Sequence, residues 1–492
     1  MLASREHAPS GVTTLGVTDA PGTAMQRVAA LAAHVGGAHA AAEAGPHPSE
    51  TGGTVAPGFE AVAAAFRNNF DAGTELGAQC CVYHKGSVVV DLWGRATAPP
   101  YPEPMENQVG REVSETLDGY GPDSLQQVFS STKNCMALCI AICVDRGLLS
   151  YSDTVAQHWP EFGRQGKAQI TVADVLRHEA GLVRFHRSAT PEDAVDWDSM
   201  AALIEESPRI EFMSKYTPPP NPEATTGRRG YHAVSRGLIL NCLLLRVDPM
   251  KRSMSQFLAE EVAGPLKADV FCGMPEALQD AHHIADMAPF ILRWSKRDPQ
   301  HKETLASLDI GRIAEEGAHR DGTVNYMGAA NGGVQNSVFS REIVSPSTNG
   351  HASARGLAKI AAAMAAKGSF GGVKLMAEAT FDDAHAEVVH KYDDILLEDS
   401  RFAQGGFAEF RLDFCDRATS EGRGSLIGGC DTQGLGGSFY GWGGAGGSAF
   451  IWSPQHEVGF SYTMNGMASY ILGGPRTLRI FDALCVSLKQ LK

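Results

Sequence analysis

The amino-acid sequence predicts an α/β fold: a mainly antiparallel sheet flanked by helices, with a helix-rich inserted region. Segments of β-type sequence occur near both ends of the chain, and helical patterns fill most of the stretch between them. The 492 residues are 43% hydrophobic and 20% charged, an ordinary globular composition for a chain that can bury a large core. Strands at both ends with helices between them indicate one sheet domain, with the insertion at roughly residues 150–425.

The N-terminal 56 residues lack the patterns of regular structure. They are rich in Ala, Gly, Ser, Thr, Pro and His and contain few aromatic residues, so residues 1–56 are predicted to form a flexible leader. An organellar transit peptide is the alternative, although Glu6 and Asp19 interrupt the segment and arginines are sparse. The folded domain is predicted to occupy residues 57–490 and to begin with the helical pattern PGFEAVAAAFRNNF.

Several strands and helices are predicted at particular places in this domain. The segment GAQCCVYHKGSVVVDLWG contains two β-type runs separated by Lys85–Gly86, which predicts a hairpin. An apolar helix is predicted from about Ser131 to Arg146–Gly147, where glycine favours a stop. Near the C-terminus, GSAFIWSP and EVGFSYTMN predict two strands, and PRTLRIFDALCVSLKQLK predicts a closing amphipathic helix. Residues 254–262 and 353–366 predict further helices.

Charge and cysteine content argue against several classes of function. A net charge of −14 provides no basic surface for nucleic acid or anionic membranes. The ten cysteines include no C-x-x-C pair and no zinc-like spacing, which predicts no metal site and a reducing, intracellular environment, with the cytoplasm as the expected location. Cys135, Cys139 and Cys143 are predicted to be buried on one helix face. The longest apolar run is about half the length of a membrane span, so no such span is predicted.

The segment VFSSTKNCMALCIAICV places Ser130 three residues before Lys133, at the start of the apolar helix. That spacing puts both side chains on one helix face, where the amine can reach the hydroxyl. Burial in an apolar setting lowers the pKa of a lysine, and the unpaired N–H groups of a helix N-terminus stabilise negative charge. The pattern indicates a serine nucleophile with a lysine base; the alternative is an ordinary lysine on the first turn of a helix.

Motifs of other reaction classes are absent from the sequence. There is no G-x-S-x-G elbow, no H-E-x-x-H and no G-x-x-x-x-G-K-[ST]. The segment GWGGAG fits G-x-G-x-x-G at Gly441, Gly443 and Gly446, but a β-type run follows it where a dinucleotide-binding loop would open a helix. No organic cofactor is therefore predicted.

Four motifs in order give the chain a resemblance to a known family. With FSSTK ahead of the apolar helix, the chain resembles the serine β-lactamase-related family, which includes class C β-lactamases, penicillin-recognising DD-peptidases and family VIII esterases. LRHEAGL (176–182) is similar to the family's His-x-x-Gly-Leu turn, GYHAVSRGL (230–238) to its tyrosine motif, and WGGAGGS (442–448) to its third motif. The resemblance covers roughly residues 57–490 and implies a β-lactamase/transpeptidase-like fold.

The resemblance assigns roles to particular residues. Ser130 would be the acylated nucleophile and Lys133 the base that helps to deprotonate it. Tyr231 would pass the proton to the leaving group and then help to activate water. The backbone N–H groups of Ser130 and Ala445 would form the oxyanion hole, where each donor is typically worth about 10²–10³ in rate. The family implies no metal and no organic cofactor for this chemistry.

Two departures from the family pattern predict the substrate. Ala233 stands where the middle motif commonly has asparagine, so it offers no hydrogen bond to an acylamino group. Trp442, which with Gly443 and Gly444 is expected to bind substrate, stands where a lysine or histidine is usual and offers apolar surface and one N–H donor. The expected substrate is a small, neutral, fairly apolar ester, with weak or no β-lactamase activity.

Alternatives remain beside this interpretation. His178 and His232 invite a catalytic triad, but the family uses neither position as a base, and His178 is predicted to be a structural turn residue. A peptidase or amidase could use the same three residues. A non-catalytic binding or self-assembling scaffold could keep the fold, although it would have no need for a buried amine beside a hydroxyl. The sequence sets no expectation for the oligomeric state.

Overall fold

A nine-stranded antiparallel sheet lies at the centre of the computed structural model, which describes residues 46–98, 119–187, 189–209, 229–287, 338–393, 395–396, 398–411, 435–467 and 474–492. Its strands are β1 Ser49–Val55, β2 Gly77–His84, β3 Ser87–Ala96, β9 Val389–Asp393, β10 Glu398–Phe402, β11 Ala408–Arg411, β12 Ser438–Gly443, β13 Ala449–Ser453 and β14 Val458–Met464. Their order in the sheet is β1-β3-β2-β14-β13-β12-β11-β10-β9. The predicted fold class is therefore confirmed.

Short strands form two smaller sheets outside this one. They are β4 Gln126–Gln127, β5 Val270–Cys272, β6 Gly350–Ala352, β7 Ser369–Phe370 and β8 Val373–Lys374. Strands β4, β6 and β5 pair in that order, and β7 pairs with β8. Because β4 leads directly into the segment with the predicted nucleophile, its pairing with β6 fixes the start of that segment.

In the sequence, most of the described helices come between β3 and β9. The described helices are α1 Glu60–Asp71, α2 Thr132–Asp145, α3 Val155–His158, α4 Val172–Leu176, α5 Pro191–Val195, α6 Trp197–Glu206, α7 Ser235–Val247, α8 Met254–Leu258, α9 Gly264–Leu266, α10 Glu276–Ala281, α11 Val338–Glu342, α12 Ala354–Ala365, α13 Glu378–Ala384 and α14 Pro475–Gln490. A π-helical turn, Ala259–Ala263, joins α8 to α9.

The hairpin predicted at Lys85–Gly86 and the two strands predicted near the C-terminus are present. Lys85 and Gly86 have φ of +50° and +76°, the left-handed conformations that a two-residue hairpin turn requires. Strands β13 and β14 form the second hairpin, and β14 pairs with β2, so segments from opposite ends of the chain are neighbours in the sheet. The closing helix is α14, as expected.

Alternate residues of the central strands face two different hydrophobic clusters. Ile451 of β13 packs with α1 and α14 on one face, while Phe450 and Trp452 pack with α2 and α12 on the other. Helix α2 lies inside the second cluster, and 12 of its 14 residues are buried. This explains why its sequence is apolar all round, and it leaves no solvent-facing side for a surface lysine.

Two predicted boundaries need correction. Ser49–Val55 is strand β1, paired with β3, so the flexible leader predicted for residues 1–56 does not reach residue 56; residues 1–45 lie outside the described part of the chain. The sequence SETGGTV was missed because an edge strand whose residues are all exposed or half-buried needs little apolar sequence. The predicted insertion at 150–425 is also too long, since 389–411 contributes three strands to the main sheet.

The eight cysteines within the described ranges are all buried and unpaired. Cys135, Cys139 and Cys143 are each 0–1% exposed in the hydrophobic cluster around α2, which confirms their prediction as core residues. Burial raises the pKa of the Cys135 thiol to about 12. None of the described helices has the length and apolar character to cross a bilayer. The described residues also contain no cluster of three or more His, Cys, Asp or Glu side chains that could hold a metal ion.

Candidate active site

The chain makes a sharp turn immediately before α2. Phe129, the residue before Ser130, has a φ of +44°, which is uncommon for a bulky residue and indicates a conformation that its surroundings enforce. Thr132 Oγ1 donates a hydrogen bond to Phe129 O at 2.5 Å, and Ser448 Oγ donates to Val128 O at 2.7 Å. The helix and the start of β13 thus hold the turn from two sides and fix the position of Ser130.

Ser130 and Lys133 meet as their spacing predicts. Lys133 Nζ lies 3.1 Å from Ser130 Oγ and donates hydrogen bonds to Ala233 O at 2.6 Å and to Ser347 O at 3.0 Å. The side chain of Lys133 is 1% exposed. These contacts keep the amine beside the hydroxyl and restrict its rotation.

Tyr231 completes the cluster around the serine hydroxyl. The Lys133 amine lies 4.9 Å from the centre of the Tyr231 ring, and the Ser130 hydroxyl is near enough to the Tyr231 hydroxyl to influence its pKa. Trp442 Nε1–H donates to the Tyr231 hydroxyl at 3.0 Å. Burial raises the pKa of Tyr231 to about 12, although the contacts with Ser130 and Trp442 act in the opposite direction. The phenol is therefore protonated at neutral pH in the free protein.

Strand β12 brings the third motif against the nucleophile. After Gly443 the chain enters a tight turn in which Gly444 N–H donates to Ser448 O at 2.8 Å and Gly447 N–H donates to Gly444 O at 3.1 Å. A Cβ atom at Gly444 would lie 3.2 Å from the backbone nitrogen of Ser130. The two predicted oxyanion donors, the amides of Ser130 and Ala445, thus belong to segments in direct contact.

The sequence of the whole chain can be compared with known families. A sequence model of the family described as Beta-lactamase matches residues 63–483. The chain belongs to the beta-lactamase family. A curated relative, the esterase/beta-lactamase LipL of Mycobacterium tuberculosis (strain ATCC 25618 / H37Rv), is 30% identical over 335 residues. That match covers 66% of each protein, so the chain spans just under two thirds of the relative's length.

Solved structures of the beta-lactamase family have the same fold. A penicillin-binding protein homologue from Caulobacter crescentus is 26% identical, with a TM-score of 0.65 over 89% of this chain and 100% of that one. A family VIII carboxylesterase is 27% identical, also with a TM-score of 0.65, over 89% of this chain and 100% of that one. The chain is therefore similar both to a penicillin-binding protein homologue and to an esterase of its family.

The two histidines near the site use their ring nitrogens for other contacts. His178, with a φ of +64°, accepts a hydrogen bond from His232 N–H at its Nδ1, and its Nε2 contacts Arg236. His232 accepts from Leu182 N–H at Nε2 and contacts Gly230 O through Nδ1. Burial lowers the pKa of His232 to about 3, so the ring is neutral. These contacts agree with the prediction that His178 is a structural residue in this member of the beta-lactamase family.

Several buried charges around the tyrosine motif were missed in the sequence. Asp393 Oδ1 accepts hydrogen bonds from the backbone N–H of Tyr231 at 3.0 Å and of Leu396 at 3.0 Å. Arg229, which is fully buried, binds Glu179 at 2.7 Å. An arginine beside an apolar motif is a weak signal, and its carboxylate partners lie 50 and more residues away in the chain. These residues position the tyrosine segment between α4 and β9.

Trp442 takes a different place from the one expected. It was predicted to bind substrate, but its indole ring is 2% exposed and its N–H is donated to Tyr231. Its ring packs against Phe402 at a centroid distance of 5.1 Å and against Tyr231 at 5.6 Å. The indole thus supports the tyrosine, and any effect of Trp442 on substrate is expected to act through Tyr231.

Gly444→Ala is expected to lower kcat/KM for an ester substrate by about 10²-fold, since it would displace one of the two predicted oxyanion donors. The added methyl group would lie 2.2 Å from Val128 O and 2.3 Å from Ser448 Oγ, both held by the turn before α2. Steady-state kinetics with a melting curve would measure the effect. Gly121→Ala is the matched control, because the nearest atom to its Cβ would be 3.8 Å away. Full activity in folded Gly444→Ala would contradict the assignment of the hole.

Proposed function

We propose that this chain is a serine hydrolase that hydrolyses neutral carboxylic esters through an acyl-enzyme on Ser130. The observation that supports this most directly is the Lys133 amine, held 3.1 Å from Ser130 Oγ by two backbone carbonyls on its other side. A neutral amine at this position has two N–H groups for the carbonyls and one lone pair for the serine proton. The contacts therefore suit a base, because the two carbonyls hold the amine at the same place before and after each proton transfer.

In acylation, Ser130 Oγ attacks the ester carbonyl carbon as its proton passes to Lys133. The carbonyl oxygen becomes an oxyanion, which the N–H groups of Ser130 and Ala445 stabilise. The carbon–oxygen bond to the alcohol then breaks, and the leaving alkoxide takes a proton from Tyr231. The proton that Lys133 removed from Ser130 passes to Tyr231, whose ring centre is 4.9 Å from the amine. The products of this half-reaction are the free alcohol and an acyl-Ser130 ester.

In deacylation, a water molecule takes the position of the alcohol. Tyr231 and Lys133 accept its proton as the oxygen attacks the acyl carbon, and the same two amides stabilise the second oxyanion. Collapse returns the proton to Ser130 Oγ and releases the carboxylic acid. Side chains and backbone amides of the chain account for each proton and electron pair, so the reaction needs no metal or organic cofactor.

The residues around Tyr231 support a neutral substrate. The first position of the third motif is Trp442, whose N–H is donated to Tyr231, so this position supplies no cation for a substrate carboxylate. The backbone carbonyl of Ala233 binds Lys133, and its methyl side chain offers no donor to an acylamino group. A site without these polar partners discriminates poorly in favour of the substrates that need them, which disfavours β-lactams and acyl peptides.

The substrate class can be tested with a matched set of compounds. The purified chain is expected to hydrolyse p-nitrophenyl butyrate with a kcat/KM at least about 10²-fold above that for the corresponding p-nitroanilide and for a chromogenic cephalosporin. Equal or faster cleavage of the anilide would instead support a peptidase or amidase that uses the same residues. No turnover of any of the three compounds would support a scaffold that has kept the fold.

A further inference from the structure

The first turn of the C-terminal helix α14 binds the turn that carries Ala445. Arg476 Nη2 donates a hydrogen bond to Gly446 O at 2.6 Å, and Thr477 Oγ1 donates to Gly447 O at 2.5 Å. Gly446 and Gly447 have φ of +86° and +126°, so the turn has a backbone conformation that few other residues adopt. Two carbonyls of this turn are thus fixed by one helix.

A chain of peptide groups connects the arginine to the amide of Ala445. In a trans peptide the C=O and the N–H point in opposite directions. Gly446 O accepts a hydrogen bond from Arg476. The N–H of the same peptide group belongs to Gly447, so it points the other way, and it donates to Gly444 O. Gly444 O and the N–H of Ala445 belong to one peptide group. Because Gly444 O points into the turn, the Ala445 N–H points out of it. Hydrogen bonds in such a series polarise one another.

Arg476 is itself held by a buried network. Its guanidinium is 3% exposed; Nη1 pairs with Glu75 and Nη2 also donates to Gly466 O at 2.7 Å. Glu75 is fully buried and accepts a second hydrogen bond from the Tyr462 hydroxyl of β14. The planar guanidinium therefore joins the segment before β2, the end of β14 and the Ala445 turn, with a donor for each.

We propose that Arg476 is a positioning residue of the oxyanion hole, which orients and polarises the Ala445 N–H through the peptide groups of Gly446 and Gly444. This inference rests on the proposed function, because it assigns to the Ala445 amide the oxyanion of the ester reaction. The arginine does not contact the substrate. Its effect is expected only where negative charge develops on the carbonyl oxygen, in the transition states, and not in the binding of the neutral ester.

Arg476→Met tests this directly, with Arg476→Lys as a second variant. Arg476→Met is expected to lower kcat for p-nitrophenyl butyrate by about 10- to 100-fold with KM within about twofold, part of the full cost of an oxyanion donor. Phenylboronic acid forms a tetrahedral adduct with the serine that resembles the transition state, and its affinity should fall by the same factor. Arg476→Lys keeps the charge but cannot reach all three partners, so an intermediate loss is expected.

The control is Arg252→Met, which removes another buried arginine that pairs with Asp248 at 2.9 Å in the helix-rich region. It should lower the melting temperature and leave kcat and boronate affinity unchanged. Folded Arg476→Met with kcat and boronate affinity within threefold of the wild type would overturn the inference. If Arg476→Met does not fold, Arg476→Lys decides: a matched loss of kcat and boronate affinity supports the inference, and values within threefold of the wild type overturn it. Wild-type protein without Ser130-dependent turnover would overturn the proposed function first.

Discussion

Ser130→Ala is expected to lower kcat for p-nitrophenyl butyrate by at least about 10⁴-fold, because removal of an acyl-enzyme nucleophile leaves only binding and the oxyanion hole. Ser130 is 8% exposed and the substitution removes a single oxygen atom, so it should change the free energy of unfolding little. Intact mass spectrometry during turnover should detect an added butyryl group on the wild type. Peptide mapping should place that group at Ser130, and the variant should show no adduct.

Ser150→Ala is a suitable control, since Ser150 is exposed and lies beyond the C-terminal end of α2. It should hydrolyse the ester at the wild-type rate. Equal rates in Ser130→Ala and the wild type would rule out Ser130 as the nucleophile. An adduct mapped to another side chain would move the reaction to that residue, and the proposed roles of Lys133 and Tyr231 would no longer hold.

Lys133→Met should lower kcat by about 10³-fold, within the range of 10²–10⁴ typical of a general base. Methionine has nearly the same length but gives Ser130 no base, and it leaves Ala233 O and Ser347 O without their donor. Each buried carbonyl left unpaired costs about 1–3 kcal/mol, so a lower melting temperature is also expected. Rapid-quench measurement of the acyl-enzyme should locate the defect in acylation, with little change in substrate binding.

Lys133→Arg separates the base from a merely positive charge. Arginine keeps the cation and can donate to the same carbonyls, but it does not lose its proton in proteins. If Lys133 works as a base, the arginine variant should be about as slow as Lys133→Met. Activity of Lys133→Arg within tenfold of the wild type would contradict the base and leave an electrostatic role for the amine.

Helices and strands with strongly apolar sequences could be predicted from the sequence, whereas strands with polar sequences could not. Helix α2 is apolar on every side because it is buried on every side, and β13 and β14 are runs of apolar residues because both sheet faces are covered. Strands β1 and β9 are the two outermost strands of this sheet among the described residues. Their sequences, SETGGTV and VHKYD, have no apolar pattern, and the two segments are strands because they hydrogen-bond to β3 and β10.

The candidate site divides in a similar way. Ser130 and Lys133 share a helix turn, so their contact follows from spacing alone, and Tyr231 and Ala445 were placed by resemblance to a family. Arg476 could not be found by either route. Its partner Glu75 lies 401 residues away in the sequence, and neither residue belongs to a motif. Contacts of that kind depend on the order of strands in the sheet, which a single sequence does not specify.

The pairing of β2 with β14 has a consequence for the synthesis of this chain. Gly77, at the start of β2, and Asn465, just after β14, are hydrogen-bonded to each other but lie 388 residues apart. At about 5–20 residues per second, a ribosome needs roughly 20–80 s to make the interval between them. During that time the first hairpin waits with an open edge, exposed to pairing with other nascent chains. The proposed nucleophile, Ser130, is made early but would stay latent, because the turn predicted to stabilise its oxyanion and Arg476 beside that turn are translated about 300 residues later.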